Sequence, residues 1–315
     1  MSGSGDTGRV DMRQLARDAF VGAPHGLRTS RELDAAGLGV LAVRALVRSG
    51  VLIRVTTGYF ALAQPAVGEV AALVRRGRAI ESRYDGRAVI SHHVAVAAHG
   101  LPLLKVPMST AHLTYRRGGS YRIRADCVVH AAPAGQDLAA GESLPLAEAL
   151  VQCGATWGVD PFVVAADAAI HKGLVNSAEL ERVVAARKEA PHHPTLVRAL
   201  RLVDGLSESP GESLARLRIG ALGHRLRSQV ETVARGRRYR IDLVIEGTRV
   251  AIEFDGMGKY ADPRALRAEK AREEDLRVSG WIVVRLQWSE VDRPEVIRQR
   301  INWALAEDAR RRAVA

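Results

Sequence analysis

Several features that would place a protein in a membrane or outside the cytoplasm are missing from this sequence. Its only cysteines, Cys127 and Cys153, cannot form a four-cysteine metal site and would stay reduced in the cytoplasm, so we predict two small core residues. No apolar segment is long enough for a transmembrane helix, and no basic amphipathic anchor is present. Residues 1–8 lack the apolar core of a signal peptide. These absences predict a cytoplasmic protein that does not bind membranes.

The length and the charge of the chain indicate several domains and a polyanionic partner. A chain of 315 residues can form two or three domains with separate cores. The net charge of +11 at pH 7 should attract polyanions, of which DNA is the expected one. We predict a multidomain α+β protein made of a disordered tail, an N-terminal domain, a mixed α/β middle domain and a C-terminal domain, over residues 1–10, 11–66, 67–205 and 206–315.

Residues 27–62 have the element order of a winged helix. Ser30 can cap a short helix, and a second helix is predicted over residues 40–49. The apolar run 51–55 then pairs with 59–62 across a Thr-Thr-Gly turn. A helix-turn-helix followed by a hairpin is typical of winged helices, in which the second helix enters the major groove of DNA.

Three arginines of this segment are candidate DNA contacts. Arg44 and Arg48 lie on the second predicted helix, and Arg54 lies on the hairpin, where guanidinium groups can reach phosphates or bases. In the alternative interpretation the winged helix mediates protein contacts and the arginines are solvated. The basic net charge favours DNA.

The middle segment contains no catalytic constellation. His92-His93 and His192-His193 do not show helical ligand spacing with a partner acid, so we interpret them as structural or surface residues. Four arginines could contact nucleic acid or form a solvated face: Arg116, Arg117, Arg122 and Arg124. The predicted elements are helices over 145–153, 161–171 and 178–186, a hairpin over 112–129, and a linker over 191–210.

Residues 239–260 predict a β-hairpin. The dipeptide Gly247-Thr248 suits a two-residue type II′ turn between two alternating apolar runs. This turn sets a register in which Leu243 lies opposite Ile252, and one face of the hairpin is then apolar.

The other face of this hairpin carries acids. The same register places Asp242 opposite Glu253, with Asp255 on the same face. Carboxylates that converge on one sheet face repel one another unless a cation lies among them, and hard oxygen ligands suit Mg²⁺. In a structural alternative, ion pairs of Asp255 with Arg240 and of Glu246 with Arg249 leave Asp242 and Glu253 as a solvated face.

The hairpin lies within a longer order of helix, three strands, helix, strand and helix. The flanking elements are predicted over residues 212–222, 228–233, 263–279, 281–286 and 294–310. With Glu212 on the first helix, Asp242 on the second strand and Glu253 on the third, this order resembles the PD-(D/E)xK nuclease fold. The similarity is greatest to the branch of the very-short-patch repair endonucleases. It covers about the last third of the chain and includes the helix with Glu269, Lys270 and Arg272 and the strand with Arg285.

The N-terminal two thirds resemble the winged-helix antitoxin domains of AbiEi-like type IV toxin–antitoxin systems. This likeness depends on residues 46–50, on the wing and on Ser91-His92. The whole chain is similar to an actinobacterial family that joins the two parts.

The nuclease resemblance implies a restriction-endonuclease-like α/β sandwich and a DNA endonuclease or nickase that depends on Mg²⁺ or Mn²⁺. It implies a catalytic set of Glu212, Asp242, Glu253, Asp255 and Lys259, with Asp242, Glu253 and Asp255 as metal ligands. Asp255 stands where the family motif usually has lysine. The positively charged side chain of the motif would therefore come from Lys259, or otherwise from Lys270. The basic residues Arg235, Arg237 and Arg238 would grip the DNA backbone.

The antitoxin resemblance implies a second function, that of a transcriptional repressor or antitoxin with a catalytically inactive nuclease fold. Its partners would be DNA and a toxin, whereas a repair protein is the partner expected of a nuclease. The oligomeric state stays open.

Overall fold

The chain forms two compact units in the computed structural model. The structure describes residues 11–64, 68–133, 135, 137–139, 143–255 and 263–314, except for the side chains of 263–266. The predicted tail, residues 1–10, lies outside the described residues. The units comprise residues 1–100 with 106–145, and 101–105 with 146–315. Helices and three sheets give the predicted multidomain α+β architecture. Across the described ranges, we find no helix with the length and apolar character needed to cross a bilayer.

The first unit begins with a winged-helix arrangement, as predicted. Its elements are α1 (Met12–Ala19), β1 (Arg28–Thr29), α2 (Ser30–Ala35), α3 (Val40–Arg48), β2 (Leu52–Thr56) and β3 (Tyr59–Leu62). The cap of α2 is Thr29 rather than Ser30, because Thr29 and Glu32 form a capping box. The three strands form a sheet in the order β1–β3–β2. Leu33 of α2 and Leu46 of α3 are buried in the core below it.

The rest of the first unit contains a four-stranded sheet that differs from the prediction. Its elements are α4 (Glu69–Arg83), β4 (Ala88–Ile90), α5 (His92–Ala98), β5 (Ala111–Tyr115), β6 (Arg122–Ile123) and β7 (Cys127–His130). The predicted hairpin over residues 112–129 is wrong, because β5 and β7 are parallel neighbours. Gly118 and Gly119 do turn the chain, with φ of 53° and 81°. The returning segment β6 then pairs with the far side of β7 instead of with β5.

The second unit begins with four helices. They are α6 (Leu146–Trp157), α7 (Val159–His171), α8 (Ser177–Ala185) and α9 (His193–Leu200). The first three confirm the predicted helices, but α9 occupies part of the predicted linker over residues 191–210. Pro194 lies in the first turn of α9, where its missing N–H costs no helical hydrogen bond. Leu196 is buried, as are both free cysteines, Cys127 and Cys153.

The C-terminal part of the second unit confirms the predicted order of elements. They are α10 (Pro210–Ala221), β8 (Leu226–Ala234), β9 (Arg237–Ile245), β10 (Val250–Asp255), α11 (Pro263–Val278), β11 (Ile282–Gln287) and α12 (Pro294–Val314). The sheet order is β11–β10–β9–β8, in which only β10 and β11 are parallel. Ile219 of α10 and Ile301 of α12 share a core with Ile252, whereas Leu276 of α11 packs with Ala251. Because neighbouring strand residues point to opposite faces, the helices cover both faces of the sheet.

The β9–β10 hairpin has the predicted register but a different turn. Leu243 lies opposite Ile252, as expected. The connection, however, is a four-residue loop over 246–249, in which Thr248 N–H donates to the Ile245 carbonyl at 3.1 Å. Gly247, with φ of 73°, is the third residue of this turn and not the first central residue of a type II′ turn.

Gly211 allows α10 to approach β10 closely. A Cβ atom at this position would lie 2.1 Å from the ring of Phe254. That ring packs edge-to-face against Trp288, with 5.2 Å between the ring centroids. The contact places the first turn of α10, including Glu212, beside the strand that carries Glu253.

Candidate functional site

A small pocket in the C-terminal part of the second unit collects the three predicted acids. Asp242 comes from β9, and Glu253 and Asp255 come from β10. The pocket has a volume of about 30 Å³ and is lined by Asp242, Glu253, Phe254, Asp255, Glu269, Arg272 and Arg285. This volume is enough for about one water molecule or one ion of similar size. The structure therefore brings together the acids that the hairpin register predicts on one face.

Glu253 is the most buried of these acids, with 5% of its surface exposed. Arg272 Nη1 donates a hydrogen bond to its Oε2 at 2.8 Å, and Arg272 Nη2 lies 2.7 Å from its Oε1. Burial raises the pKa of Glu253 to about 7; Arg272 opposes this shift, and the charges of Asp242 and Glu269 add to it. In the folded protein this carboxyl group therefore keeps its proton to a higher pH than an exposed glutamate does.

Asp242 is held by the backbone of the neighbouring strand. Its Oδ2 accepts a hydrogen bond from Phe254 N–H at 3.0 Å, at the end of the β9–β10 ladder. This bond fixes the half-buried carboxylate of Asp242 beside Glu253. Asp255 is the next acid along β10 after Glu253.

Two arginines add positive charge to the pocket, a role that the sequence analysis did not assign to them. Arg285 of β11 lies beside Glu253 in the parallel ladder. Its Nη2 contacts Glu269 Oε1 at 2.6 Å and Glu273 Oε2 at 3.0 Å. On α11, the residues Glu269, Arg272 and Glu273 are spaced i, i+3 and i+4, a pattern that places them on one helix face. This spacing is the sequence pattern from which the position of Arg272 beside the acids could have been predicted.

Glu212 does not line the pocket. Its Oε2 accepts hydrogen bonds from Glu208 N–H at 2.9 Å and from Gln229 Nε2 at 2.8 Å, and its Oε1 accepts one from Ser209 Oγ at 2.8 Å. Burial raises the pKa of Glu212, and the nearby charge of Asp242 raises it further. The side chain of Glu212 thus ties the start of α10 to β8.

Of the two candidate lysines, only Lys270 falls within the described residues. Lys259 lies outside the described residues. Lys270 is exposed on α11 and is absent from the residues that line the pocket.

The alternative of a solvated acidic face is wrong for Glu253, because this side chain is buried. The proposed cross-strand pairs also differ from those observed. Arg240 Nη2 binds Glu208 Oε1 at 2.6 Å. Arg249 lies over the ring of Trp281, with its Cζ 5.1 Å from the centroid.

The candidate DNA contacts of the winged helix surround one groove. Arg44, Arg48 and Arg54 are all exposed. They line a groove of about 460 Å³ together with apolar side chains such as Val43 and Phe60. Helix α3 thus presents positive charge toward solvent at positions 44 and 48, one helical turn apart.

The second basic group, Arg235, Arg237 and Arg238, surrounds the β8–β9 turn. Arg235 and Gly236 form a two-residue connection with φ of 48° and 77°, values typical of a type I′ turn. All three arginines are exposed. Arg235 Nη1 and Arg237 Nη1 lie 3.8 and 3.7 Å from carboxylate oxygens of Asp275, so part of their charge is compensated.

The arginines that follow β5 are mainly solvated. Arg117, Arg122 and Arg124 are exposed, and Arg117 pairs with Asp137. Arg116 is half-buried and donates to the Ala139 carbonyl at 2.7 Å.

A buried histidine cluster lies in the first unit. His92 and His93 begin α5, and they meet His112 of β5 and His130 of β7. Burial lowers the pKa of His112 to about 3 and those of His93 and His130 to about 4. His192, in contrast, is exposed. Each histidine of the cluster interrupts an apolar segment of the sequence, a pattern that indicates a buried side chain.

Replacing Arg272 with alanine is expected to destabilise the metal-free protein by about 2 kcal/mol, because it leaves the buried Glu253 carboxylate without its ion-pair partner. Folding raises the pKa of Glu253, so the folded state binds more protons than the unfolded state. The free energy of unfolding therefore falls as pH rises from the usual pKa of a glutamate toward about 7. The loss in the variant should therefore be larger at pH 8 than at pH 6. Urea unfolding in EDTA measures both.

The matched control for this change is Arg277→Ala on the same helix. Arg277 pairs with Glu273 but is largely exposed, so its loss should cost less than about 0.5 kcal/mol. Adding Glu253→Gln to Arg272→Ala should restore part of the stability, since it removes the uncompensated charge. Equal losses in Arg272→Ala and Arg277→Ala would contradict this account.

Comparisons with known proteins give only a distant structural similarity, with low sequence identity and a low TM-score. No protein-family model matches the sequence, and the search of curated proteins gives no match. Among solved structures, the crystal structure of the Rv2827c protein from Mycobacterium tuberculosis is similar, with 18% sequence identity and a TM-score of 0.36. The likeness covers 65% of this chain and 79% of that chain. At this TM-score the likeness supports no inference about function.

Proposed function

We propose that this protein binds DNA through its winged helix and that its C-terminal domain is a Mg²⁺- or Mn²⁺-dependent DNA endonuclease or nickase of the cytoplasm. The observation that carries the proposal is the convergence of Asp242, Glu253 and Asp255 on one pocket. The order of helix, three strands, helix, strand and helix around that pocket supports the PD-(D/E)xK resemblance.

The residues of the pocket fit a small, hard cation. Carboxylate oxygens are the ligands that Mg²⁺ prefers, and it usually keeps several waters alongside one or two carboxylates. Burial raises the pKa of Glu253 to about 7, and a bound cation would favour its ionised form. Asp242, Glu253 and Asp255 would hold the metal, which when bound lowers the pKa of a water molecule and offsets charge on the phosphate.

Side chains around the acids would position the substrate. The hydrogen bond from Phe254 N–H orients Asp242. Arg272 and Arg285 supply positive charge within the pocket, where it can stabilise a phosphate group. We assign the charge-stabilising role of the missing motif lysine to Lys259. Arg235, Arg237 and Arg238 would grip the DNA backbone.

The test is a cleavage assay with the purified full-length protein. Supercoiled and mismatch-containing plasmids are incubated with Mg²⁺, with Mn²⁺ or with EDTA. We expect nicked or linear DNA that depends on the metal and increases with protein concentration. No cleavage of either plasmid with either metal would contradict the nuclease proposal.

A second candidate function is that of a repressor or antitoxin, whose partner is a toxin protein. The observation that favours it is the double contact of Arg272 with Glu253, because this arginine supplies within the protein the positive charge that a metal would supply. The presence of Asp255 at the position of the usual motif lysine also favours a catalytically inactive nuclease fold. In that case the winged helix carries the function and the acidic pocket is structural.

Both functions predict that the winged helix binds DNA. The double variant Arg44→Ala/Arg48→Ala should weaken DNA binding about 10-fold or more and reduce the salt dependence of binding by one to two charges, since each lost phosphate contact lowers the salt slope by about one. Fluorescence anisotropy with labelled duplexes at several salt concentrations measures both quantities.

The control is Arg13→Ala/Arg17→Ala, which removes two exposed arginines with the same spacing from α1. It should have a much smaller effect. An equal effect of both double variants would mean that only net charge, and not α3, determines binding.

A further inference from the structure

Three histidines that the proposed function does not use converge from three elements of the first unit. His92 is the first residue of α5, His112 lies on β5 and His130 lies on β7. In the parallel ladder His130 lies opposite Thr114, two residues beyond His112, so both histidines project from the same sheet face. Ser91 N–H donates to the His112 carbonyl at 3.0 Å, which brings the start of α5 against this face.

The distances among the three rings are those of a group that can share one ion. Ring centroids lie 4.0 Å apart for His92 and His130, 5.0 Å for His112 and His130, and 5.1 Å for His92 and His112. His130 Nε2 and His112 Nδ1 are 3.1 Å apart. One nitrogen of each ring lies within 4.8 Å of the other two. Among the described residues, no other group of three metal-binding side chains meets this distance.

These distances approach those of a tetrahedral zinc site. With Zn–N bonds of about 2.0–2.1 Å, two ligand nitrogens of a tetrahedron lie roughly 3.3 Å apart. The His112–His130 pair is close to this separation, at 3.1 Å. The rings of His92 and His130 are stacked at an interplanar angle of 27°, so the His92 ring has to rotate for its nitrogen to face a shared ion. The acids Asp242, Glu253 and Asp255 do not form such a close group.

Neighbouring groups orient the rings as they do in metal sites. Ser91 Oγ lies 2.9 Å from His92 Nδ1, a contact that helps to fix the orientation of the His92 ring. A hydrogen bond on the second nitrogen of a ligand histidine is the usual way to fix its orientation. His93 differs, because its Nε2 contacts the Thr110 carbonyl at 3.1 Å. His130 is half-buried and lies next to the exposed ring of Tyr121, 5.4 Å away, which provides a route from solvent.

We propose that His92, His112 and His130 form a binding site for one divalent transition metal ion, with Zn²⁺ as the physiological choice. Imidazole nitrogens suit Zn²⁺ rather than Mg²⁺, so this site is chemically distinct from the acidic pocket. Three protein ligands leave the fourth position to water. The bound ion links the start of α5 to β5 and β7 and stabilises the unit that contains the winged helix.

The test uses the full-length protein after treatment with EDTA and dialysis, with ZnCl₂ and CoCl₂ as the probes. We expect close to one Zn²⁺ per chain after gel filtration, by elemental analysis, and the visible absorption of four-coordinate Co²⁺. His112→Gln and His130→Gln should lose the Co²⁺ absorption, while the exposed control His99→Gln keeps it. Asp242→Asn/Glu253→Gln should also keep it, which separates this site from the nuclease proposal.

A second measurement does not depend on the folding of variants. Zn²⁺ should protect the half-buried His130 of the wild-type protein from acylation by diethyl pyrocarbonate, read by peptide mass spectrometry, and should leave the exposed His99 and His192 reactive. Absence of retained metal in the wild type, or retention of the Co²⁺ spectrum by folded His112→Gln and His130→Gln, would overturn the proposal.

Discussion

Replacing Asp242 with asparagine is expected to lower the rate of Mg²⁺-dependent DNA cleavage by about 100-fold or more, a loss comparable to removal of one key electrostatic group from an active site. The amide oxygen of asparagine can still accept the hydrogen bond from Phe254 N–H, which Asp242 accepts at 3.0 Å. The variant therefore keeps this hydrogen bond and loses the charge. Initial rates of plasmid nicking measure the effect, and thermal unfolding checks the fold.

The matched control is Asp308→Asn in α12. Asp308 is buried and, like Asp242, accepts a backbone hydrogen bond, here from Arg249 N–H at 3.1 Å, but it does not line the acidic pocket. This control loses the same charge and should cleave at a rate close to that of the wild type. If Asp242→Asn and Asp308→Asn reduce cleavage equally, or neither does, Asp242 is not a metal ligand.

Replacing Asp167 with alanine is expected to lower the free energy of unfolding by about 3–4 kcal/mol, the range for breaking a buried, hydrogen-bonded ion pair. Asp167 of α7 has 1% of its surface exposed. It accepts hydrogen bonds from Ser213 Oγ at 2.6 Å, Asp204 N–H at 2.6 Å and Arg216 Nη2 at 2.7 Å. Alanine leaves all three donors without this acceptor. Among the described carboxylates, the mostly buried Arg216 then keeps only Asp204 as a partner, with an Oδ2 that is 3.7 Å away.

Tryptophan fluorescence during urea unfolding measures this loss. The four tryptophans of the chain, Trp157, Trp281, Trp288 and Trp303, all belong to the second unit, which also contains Asp167. Asp167→Asn should cost less than the alanine variant, because it keeps one acceptor. Glu181→Ala, an exposed acid on α8, should change the stability by less than about 0.5 kcal/mol. A loss below about 1 kcal/mol for Asp167→Ala would contradict the account.

Much of the secondary structure follows from patterns within a few residues. The helices of the winged segment and of the C-terminal part of the second unit could be predicted because apolar spacing and capping residues act locally. The Leu243–Ile252 register also follows, since a slip by one residue would move the apolar side chains to the wrong face. The predicted type of turn was wrong because more than one loop geometry is compatible with the same register.

The errors share a different cause. The parallel pairing of β5 with β7, where a hairpin was predicted, depends on which strand edge is available in the folded sheet. The helix α9, where a linker was predicted, depends on the burial of Leu196. Neither the available edge nor the burial is encoded in the neighbouring residues.

By itself, the sequence determined the α+β architecture, the order of elements in the C-terminal part of the second unit and the register of the β9–β10 hairpin, which brings Asp242 and Glu253 to one pocket. Only the tertiary structure decided that Arg272 neutralises Glu253, that Glu212 is held by Ser209 and Gln229, and that three distant histidines meet. Local patterns control helices, turns and register because they act over a few bonds. A charge partner or a metal-binding group is set by side chains that are far apart in the chain, and these become neighbours only when the elements pack.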